Sequence, residues 1–468
     1  MTEHKLPNGM TFLIVERHEV PVVSFHLYAD VGSVDEEVGE TGMAHMFEHM
    51  AFKGTRDIGT RDYAKEKDAL DRVDDAYRRL REAKLEIHPD PARVDELEKA
   101  FRAAEAEAGE YSQSDELARV IEQAGGAGLN ASTSNDATRY YLSFPSNKAE
   151  LWFSLESARF LEPVLREFYK ERDVVMEERR MRVESQPVGR LVSNMLSLAY
   201  RAHPYGREGV GWRSDLENLT RWRAQEFFEK HYVPETLTAA VVGDVDPKQA
   251  IAWAESYFGR LSKRERAEPV LTREPAQEGP RWARIEAQSQ PVLLIGYHKP
   301  SALDEDDAVF DAVQDILSGG RTSRIYRSLV QEKRISAGAG GFPGFPGNKY
   351  PNLFLFFSFP APGHDNDENE KAMLEEIEKL KTDLVTEEEL SRVKARARAD
   401  LVGGLDSNSG LASQLASYQV LTGDWRNLFR RLEVIDRVSR EDIQRVAKQY
   451  FIESNRSIAY LAPEGEGK

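Results

Sequence analysis

The sequence predicts an α+β protein built as two homologous sandwich domains. Each is expected to be a largely antiparallel sheet with helices on one face, and the first to carry an inserted helical hairpin. Three observations point there. The chain has 468 residues, too many for one ordinary core. Two patterns occur once in each half. Short β-rich runs alternate with stretches rich in Ala, Glu, Lys, Arg and Leu.

The first repeated pattern is a polar helix end, an aromatic residue, a short turn and an apolar strand. It occurs at Glu229-Lys230-His231-Tyr232 before TLTAAVVGDV, and at Ala447-Lys448-Gln449-Tyr450 before NRSIAYLAP. The second pairs VVSFHLYADVGS near the start with PVLLIGYHKPSA at Pro291–Ala302. Between the halves, Ser262–Pro280 is rich in charge and Pro, as a linker would be. The expected division is therefore 1–261, a linker at 262–280, and 281–468.

In the first half, Met10–Glu16 and Val22–Val31 read as strands, the former following the turn signal Pro7-Asn8-Gly9. A helix is expected near Thr41–Phe52. Residues 63–117 read as two long helices broken at Pro89-Asp90-Pro91, a hairpin with a solvated, charged surface. In the second half, the Gly-rich run Gly338–Gly347 lacks the Gly-Lys-Ser/Thr of a phosphate loop and reads as a hairpin. Leu353–Phe359 reads as a buried strand.

Composition narrows the function. Lys and Arg total 63 against 80 Asp and Glu, a formal charge of −17. Gripping nucleic acid needs clustered cations to displace counterions, so no nucleic-acid or anionic-membrane partner is expected. With no cysteine, any metal must be held by His, Asp or Glu. No apolar run approaches the ~18 residues of a membrane span, and the N-terminus lacks a signal-peptide pattern. Cytoplasm and periplasm both remain open, the latter if a signal was removed.

The chemistry concentrates in His45-Met46-Phe47-Glu48-His49. Residues four apart lie on one helical face, about 6 Å apart along the axis, so His45 and His49 can share one ion. Zinc accepts imidazole at about 2.0–2.1 Å. Glu48, on the same side, is placed to take a proton from water activated by the metal. A catalytic zinc needs a third protein ligand. In Lys170–Glu184, the positions Glu171, Val174, Val175, Glu178 and Met181 share a face. An acid amid an apolar stripe must be neutralised or bound to a cation, which selects Glu178 as the third ligand. Glu171, two turns earlier, is expected to orient a ligand. His26, His203, His298 and His364 are isolated and are expected to be structural or exposed.

These segments resemble the pitrilysin and mitochondrial-processing-peptidase family of metallopeptidases, whose signature is H-x-x-E-H. The resemblance runs through Gly42–Thr55, Leu129–Tyr141, Glu171–Met181, His203–Gly206 with Gly211, Leu317–Leu329 and Gln331–Ile335. It implies a single zinc ion, hydrolysis of peptides or unfolded polypeptide, and short-chain subunits that pair around a closed chamber. It further implies that substrate adds a strand to an exposed sheet edge, here including Asn130 and Ala131. Two departures stand out. The spacing from His49 to Glu178 is long, which the 63–117 segment accounts for. The family's catalytic Arg and Tyr, seven residues apart in a C-terminal domain, have no counterpart in Leu353–Phe359. A related subunit supplying them in a heterodimer is therefore expected, with a homodimer as the alternative. The competing expectation is a non-catalytic scaffold or a subunit that binds targeting sequences.

Overall fold

The computed structural model describes residues 1–161 and 163–464. It contains two sheets of mostly antiparallel strands. The first comprises β1 (Thr2–Lys5), β2 (Thr11–Glu16), β3 (Val22–Ala29), β4 (Ala127–Thr133), β5 (Thr138–Pro145) and β6 (Leu237–Gly243), in the order β1-β2-β6-β3-β5-β4. The second comprises β7 (Arg281–Ala287), β8 (Val292–Lys299), β9 (Ser336–Phe345), β10 (Asn352–Pro360) and β11 (Arg456–Pro463), in the order β7-β11-β8-β10-β9. Leaving out β1, the two orders are the same. Each sheet has one parallel pair at the same place, β2 with β6 and β7 with β11. Both repeats read from the sequence fall on equivalent strands, β6 with β11 and β3 with β8. The Gly-rich run forms β9 of a β9–β10 hairpin, and β9 is an edge strand like β4.

Side-chain alternation explains why both faces of each sheet are covered. Phe12, Ile14, Phe25, Leu27 and Val241 face the helices of the first half. Their neighbours Leu13, Tyr28, Ala240 and Val242 face Ala412, Leu415 and Ala416 on the helix Asn408–Thr422, which comes from the second half. The exchange is reciprocal. The helix Pro187–Ala199 lays Leu191, Met195 and Leu196 on Leu294, Leu353, Leu355 and Leu461 of the second sheet. Beyond the helices expected on one face, each sheet thus receives a helix from the opposite half. Each fully buried Leu or Met stabilises this arrangement by roughly 1.5–3 kcal/mol. Gly296 permits the close approach, since a Cβ there would meet Met195 Cε at 2.3 Å. The segment 262–280 contains no helix or strand but is tied down: Glu274 accepts backbone hydrogen bonds from Arg201, Ala202 and His203.

The helical hairpin is present as α2 (Tyr63–Lys84) and α3 (Pro91–Gly109), following α1 (Met43–Met50). Its base differs from a solvated arm. Leu70, Val73, Tyr77, Leu80 and Phe101 belong to the first half's core, and Tyr77 lies 4.3 Å from the Tyr169 ring. At the tip, Leu85 and Ile87 are exposed.

One buried cation organises the chain between α1 and α2. Arg166 pairs with Glu66 through two hydrogen bonds, of 2.7 and 3.0 Å. It also donates to the carbonyls of Lys53, Thr55 and Ile58. Both partners are almost wholly buried, so Arg166→Met leaves Glu66 charged and unpaired. The expected cost is about 3–5 kcal/mol of unfolding free energy, read from denaturant melts. A change below about 1 kcal/mol would show that the network is not held together in solution.

Candidate metal centre

Helix α1 carries His45, Glu48 and His49, and its start is fixed without an ordinary cap. Gly42 at the N-cap has φ 91° and no side-chain cap bond. A Cβ there would meet the Val210 carbonyl at 2.7 Å. The buried Glu36 carboxylate stands in, accepting from Gly42 N–H and Ala44 N–H at 2.9 Å each. A carboxylate at a helix N-terminus is stabilised by the dipole and the free N–H groups. Burial nevertheless pushes the Glu36 carboxyl up to about 8.

Across from α1 runs the glutamate helix, Phe168–Arg179. It turns Arg172, Val175 and Arg179 inward and brings Glu171 and Glu178 to the histidines. His45 Nε2 lies 3.6 Å from Glu178 Oε1, and His49 Nε2 lies 3.4 Å from Glu178 Oε2. One ligand atom from each of His45, His49 and Glu178 can be chosen so that all lie within 4.8 Å of one another. Among the described residues this is the one His/Cys/Asp/Glu grouping of that kind. A tetrahedral zinc site with bonds of about 2.0–2.2 Å has ligand–ligand edges of roughly 3.3–3.6 Å. Each imidazole stands at about that distance from one oxygen of the Glu178 carboxylate, so the donor set fits zinc in chemistry and lies close to the spacing the ion requires.

Behind this set, Glu171 Oε2 is 3.4 Å from His49 Nδ1. Lys53 pairs with Glu171 and, at 3.3 Å, with Glu167. Such a carboxylate behind a histidine fixes the tautomer and aims the other ring nitrogen. Hydrogen bonds to Glu171 and Glu178 raise His49 to about 9, whereas burial keeps His45 below its ordinary value. Hydrogen bonding to His49 holds Glu178 down. For Glu171, burial pushes upward, but His49 and Lys53 outweigh it.

The His49 shift has a measurable consequence. In the metal-free chain His49 is protonated at pH 7, and a metal must displace that proton. Zinc affinity is therefore expected to rise about tenfold per pH unit from about 7 to 9, then flatten. Competition titration against a chelator at several pH values reads this directly, and a flat profile would contradict it. The matching stability term of the metal-free chain has the opposite sense. Because the folded value lies above the ordinary 6.5, the contribution is complete below 6.5 and lost as pH rises through about 9.

The stripe on the glutamate helix differs from its sequence reading in one respect. Val175 is buried on the core side, while Val174 and Met181 are exposed. Glu178 is thus neutralised by the histidines and Arg182, not packed within an apolar seam. Asn130 and Ala131 lie on the edge strand β4, which packs beside α1. Asn130 is exposed, and its side-chain oxygen accepts the Ala131 N–H at 2.9 Å. Sequence reasoning missed Glu36, Lys53 and Arg182. Lys53 stands just past the motif, and its signal was only a cation one turn beyond His49. Glu36 had none, because its contact with α1 depends on the loop that precedes the helix.

The sequence matches two family profiles. One is described as "Insulinase (Peptidase family M16)" and covers residues 11–82 and 103–211. The other is described as "Peptidase M16 inactive domain" and covers residues 218–397. The stretch between the two parts of the first match, 83–102, is the distal part of the hairpin. A Helicobacter pylori protein named zinc protease PqqE is 28% identical, over 98% of this chain and 92% of its own. The Saccharomyces cerevisiae mitochondrial-processing peptidase subunit beta is 23% identical over 94% of this chain and 86% of its own. A crystal structure of a protease from Helicobacter pylori superposes with a TM-score of 0.82, at 26% identity and 99% coverage of both chains.

Proposed function

Because the chain belongs to the M16 peptidase family, the pitrilysin group, we propose that it is a zinc-dependent endopeptidase of peptides and unfolded polypeptide segments. The observation that carries this reading is the convergence of His45, His49 and Glu178 beside Glu48. In the proposal, those three residues hold one zinc ion, and Glu171, itself held by Lys53, orients His49. When bound, zinc supplies Lewis acidity that acidifies water and polarises a peptide carbonyl. Glu48 takes the proton of the attacking water and delivers it to the departing amine. Substrate lies extended along the β4 edge, where the Ala131 N–H exchanges the Asn130 side chain for a substrate carbonyl.

We further propose pairing with a related subunit that supplies an Arg and a Tyr. In support, β10 carries neither residue. A homodimer is the alternative. The same absence favours a second reading, a non-catalytic scaffold or a subunit that binds targeting sequences.

The test supplies the zinc-loaded chain, alone and with any co-purifying partner, with one protein in its native and unfolded forms. Cleavage restricted to the unfolded form is expected. Equal cleavage of both would overturn the substrate assignment. No cleavage under either condition, with zinc bound, would favour the scaffold.

A further inference from the structure

The exposed face of the glutamate helix carries more than the metal set. Past Glu178 the chain continues as a π turn over Arg180–Glu184, closed by Ser185 N–H to the Arg180 carbonyl at 2.8 Å. Such widened turns recur at functional sites because they re-aim the side chains that follow. Here Arg182 lies 2.5 Å from Glu178 Oε1, yet its side chain is 71% exposed. Its charge also reaches His45. The neighbouring cations are engaged elsewhere: Arg179 on Glu208 and the Gly211 carbonyl, and Arg180 on Glu177. Among the described residues Glu178 is the one ion-pair partner of Arg182, and Glu178 is shared with both histidines. Most of the guanidinium's donors therefore point to solvent at the mouth of the site. Val174, 46% exposed, stands about one turn before Glu178 on the glutamate helix, and Met181, 55% exposed, follows three residues after it in the π turn.

From this arrangement we infer that Arg182 is a specificity-determining residue that binds a substrate carboxylate beside the scissile bond, with Val174 and Met181 contacting an adjoining apolar side chain. The preferred substrates are extended peptides that pair an acidic residue with an apolar one. The inference rests on the peptidase reading and names the substrate class of that site. Guanidinium suits the task, being permanently charged and able to hold a carboxylate through two parallel hydrogen bonds. The formal charge of −17 repels acidic peptides from most of the surface, so a preference for an acidic residue has to come from a local cation such as Arg182.

The test uses unstructured peptides of fixed length with one apolar residue, and Glu, Gln or Lys placed in turn at each flanking position. Zinc-loaded wild type, Arg182→Gln and Arg182→Glu are compared by kcat/KM. Peptide binding is measured in parallel by fluorescence anisotropy on zinc-loaded Glu48→Gln, with and without Arg182→Glu. Zinc affinity of each variant is measured by chelator competition. At one position Glu is expected to be favoured over Lys on the order of tenfold, the scale of an opposite-charge contact near a partly desolvated surface. Arg182→Gln should level that ratio and Arg182→Glu should invert it. An unchanged ratio in Arg182→Glu, with zinc retained, would overturn the inference, as would no acid preference at any position. The two readings fail separately. Binding of acidic peptides that depends on Arg182, without cleavage by wild type either alone or with any co-purifying partner, would support the inference and remove the peptidase. Cleavage indifferent to Arg182 would do the reverse.

Discussion

Glu48→Gln is expected to lower kcat for peptide cleavage by roughly 10²–10⁴-fold, the usual contribution of a positioned proton acceptor. The substitution keeps the shape of the side chain and its capacity for hydrogen bonds but removes the basic oxygen. Glu48 is half-buried on α1 between the two histidines in sequence, and it is outside the convergent set of His45, His49 and Glu178. Zinc stoichiometry and affinity should therefore stay within a few-fold of wild type. The two measurements must be made on the same preparation. Loss of activity accompanied by loss of zinc would mean that Glu48 serves the metal and not the proton transfer. Full activity in the variant would remove Glu48 from the reaction.

Glu178→Ala is expected to weaken zinc binding beyond the roughly 10–100-fold that removing an outer carboxylate costs, the range expected for Glu171→Gln. The physical reason lies in the two-helix construction. His45 and His49 come from one short helix, and from the opposing helix Glu171 reaches His49 alone whereas Glu178 reaches both and closes the set. Removing it also leaves Arg182 without its ion-pair partner beside the histidines, adding repulsion to a lost ligand. Chelator competition ranks the two variants. The order Glu178→Ala weaker than Glu171→Gln is predicted, and the reverse order would exchange the roles given to these two glutamates. Thermal melts of the metal-free proteins separate a lost ligand from a lost fold.

Much of this molecule was legible in the sequence because its signals are local. Two histidines four apart on a helix share one face, which is readable without any tertiary knowledge. Glu171 and Glu178 were found because helical spacing alone places them on one face. The duplication was legible for a similar reason: TLTAAVVGDV and NRSIAYLAP are single strands whose burial dictates their composition, and they became β6 and β11. What stayed hidden depends on contacts distant in sequence. The helix Asn408–Thr422 has no pronounced apolar face, and nothing in it shows that Leu415 joins Leu13 and Val242 of the other half in one cluster. Arg166 reads as a surface cation until Glu66, a hundred residues away, closes on it. Glu36 belongs to an acidic loop whose fold alone turns it onto the start of α1. The exposure of Val174 and Met181 was not legible, because apolar residues at helical spacing read alike on a packed face and on an open one.

The central claim, one zinc at His45, His49 and Glu178 driving peptide hydrolysis, is tested most directly by titrating zinc into the metal-free chain while following cleavage of an unstructured peptide. If a partner subunit proves necessary, it is held in saturating amount. The account predicts no cleavage without metal and a linear rise that breaks at one zinc per chain. It also predicts no such rise for Glu178→Ala over the same range. Cleavage by the fully chelated chain, or an identical titration by Glu178→Ala, would contradict it.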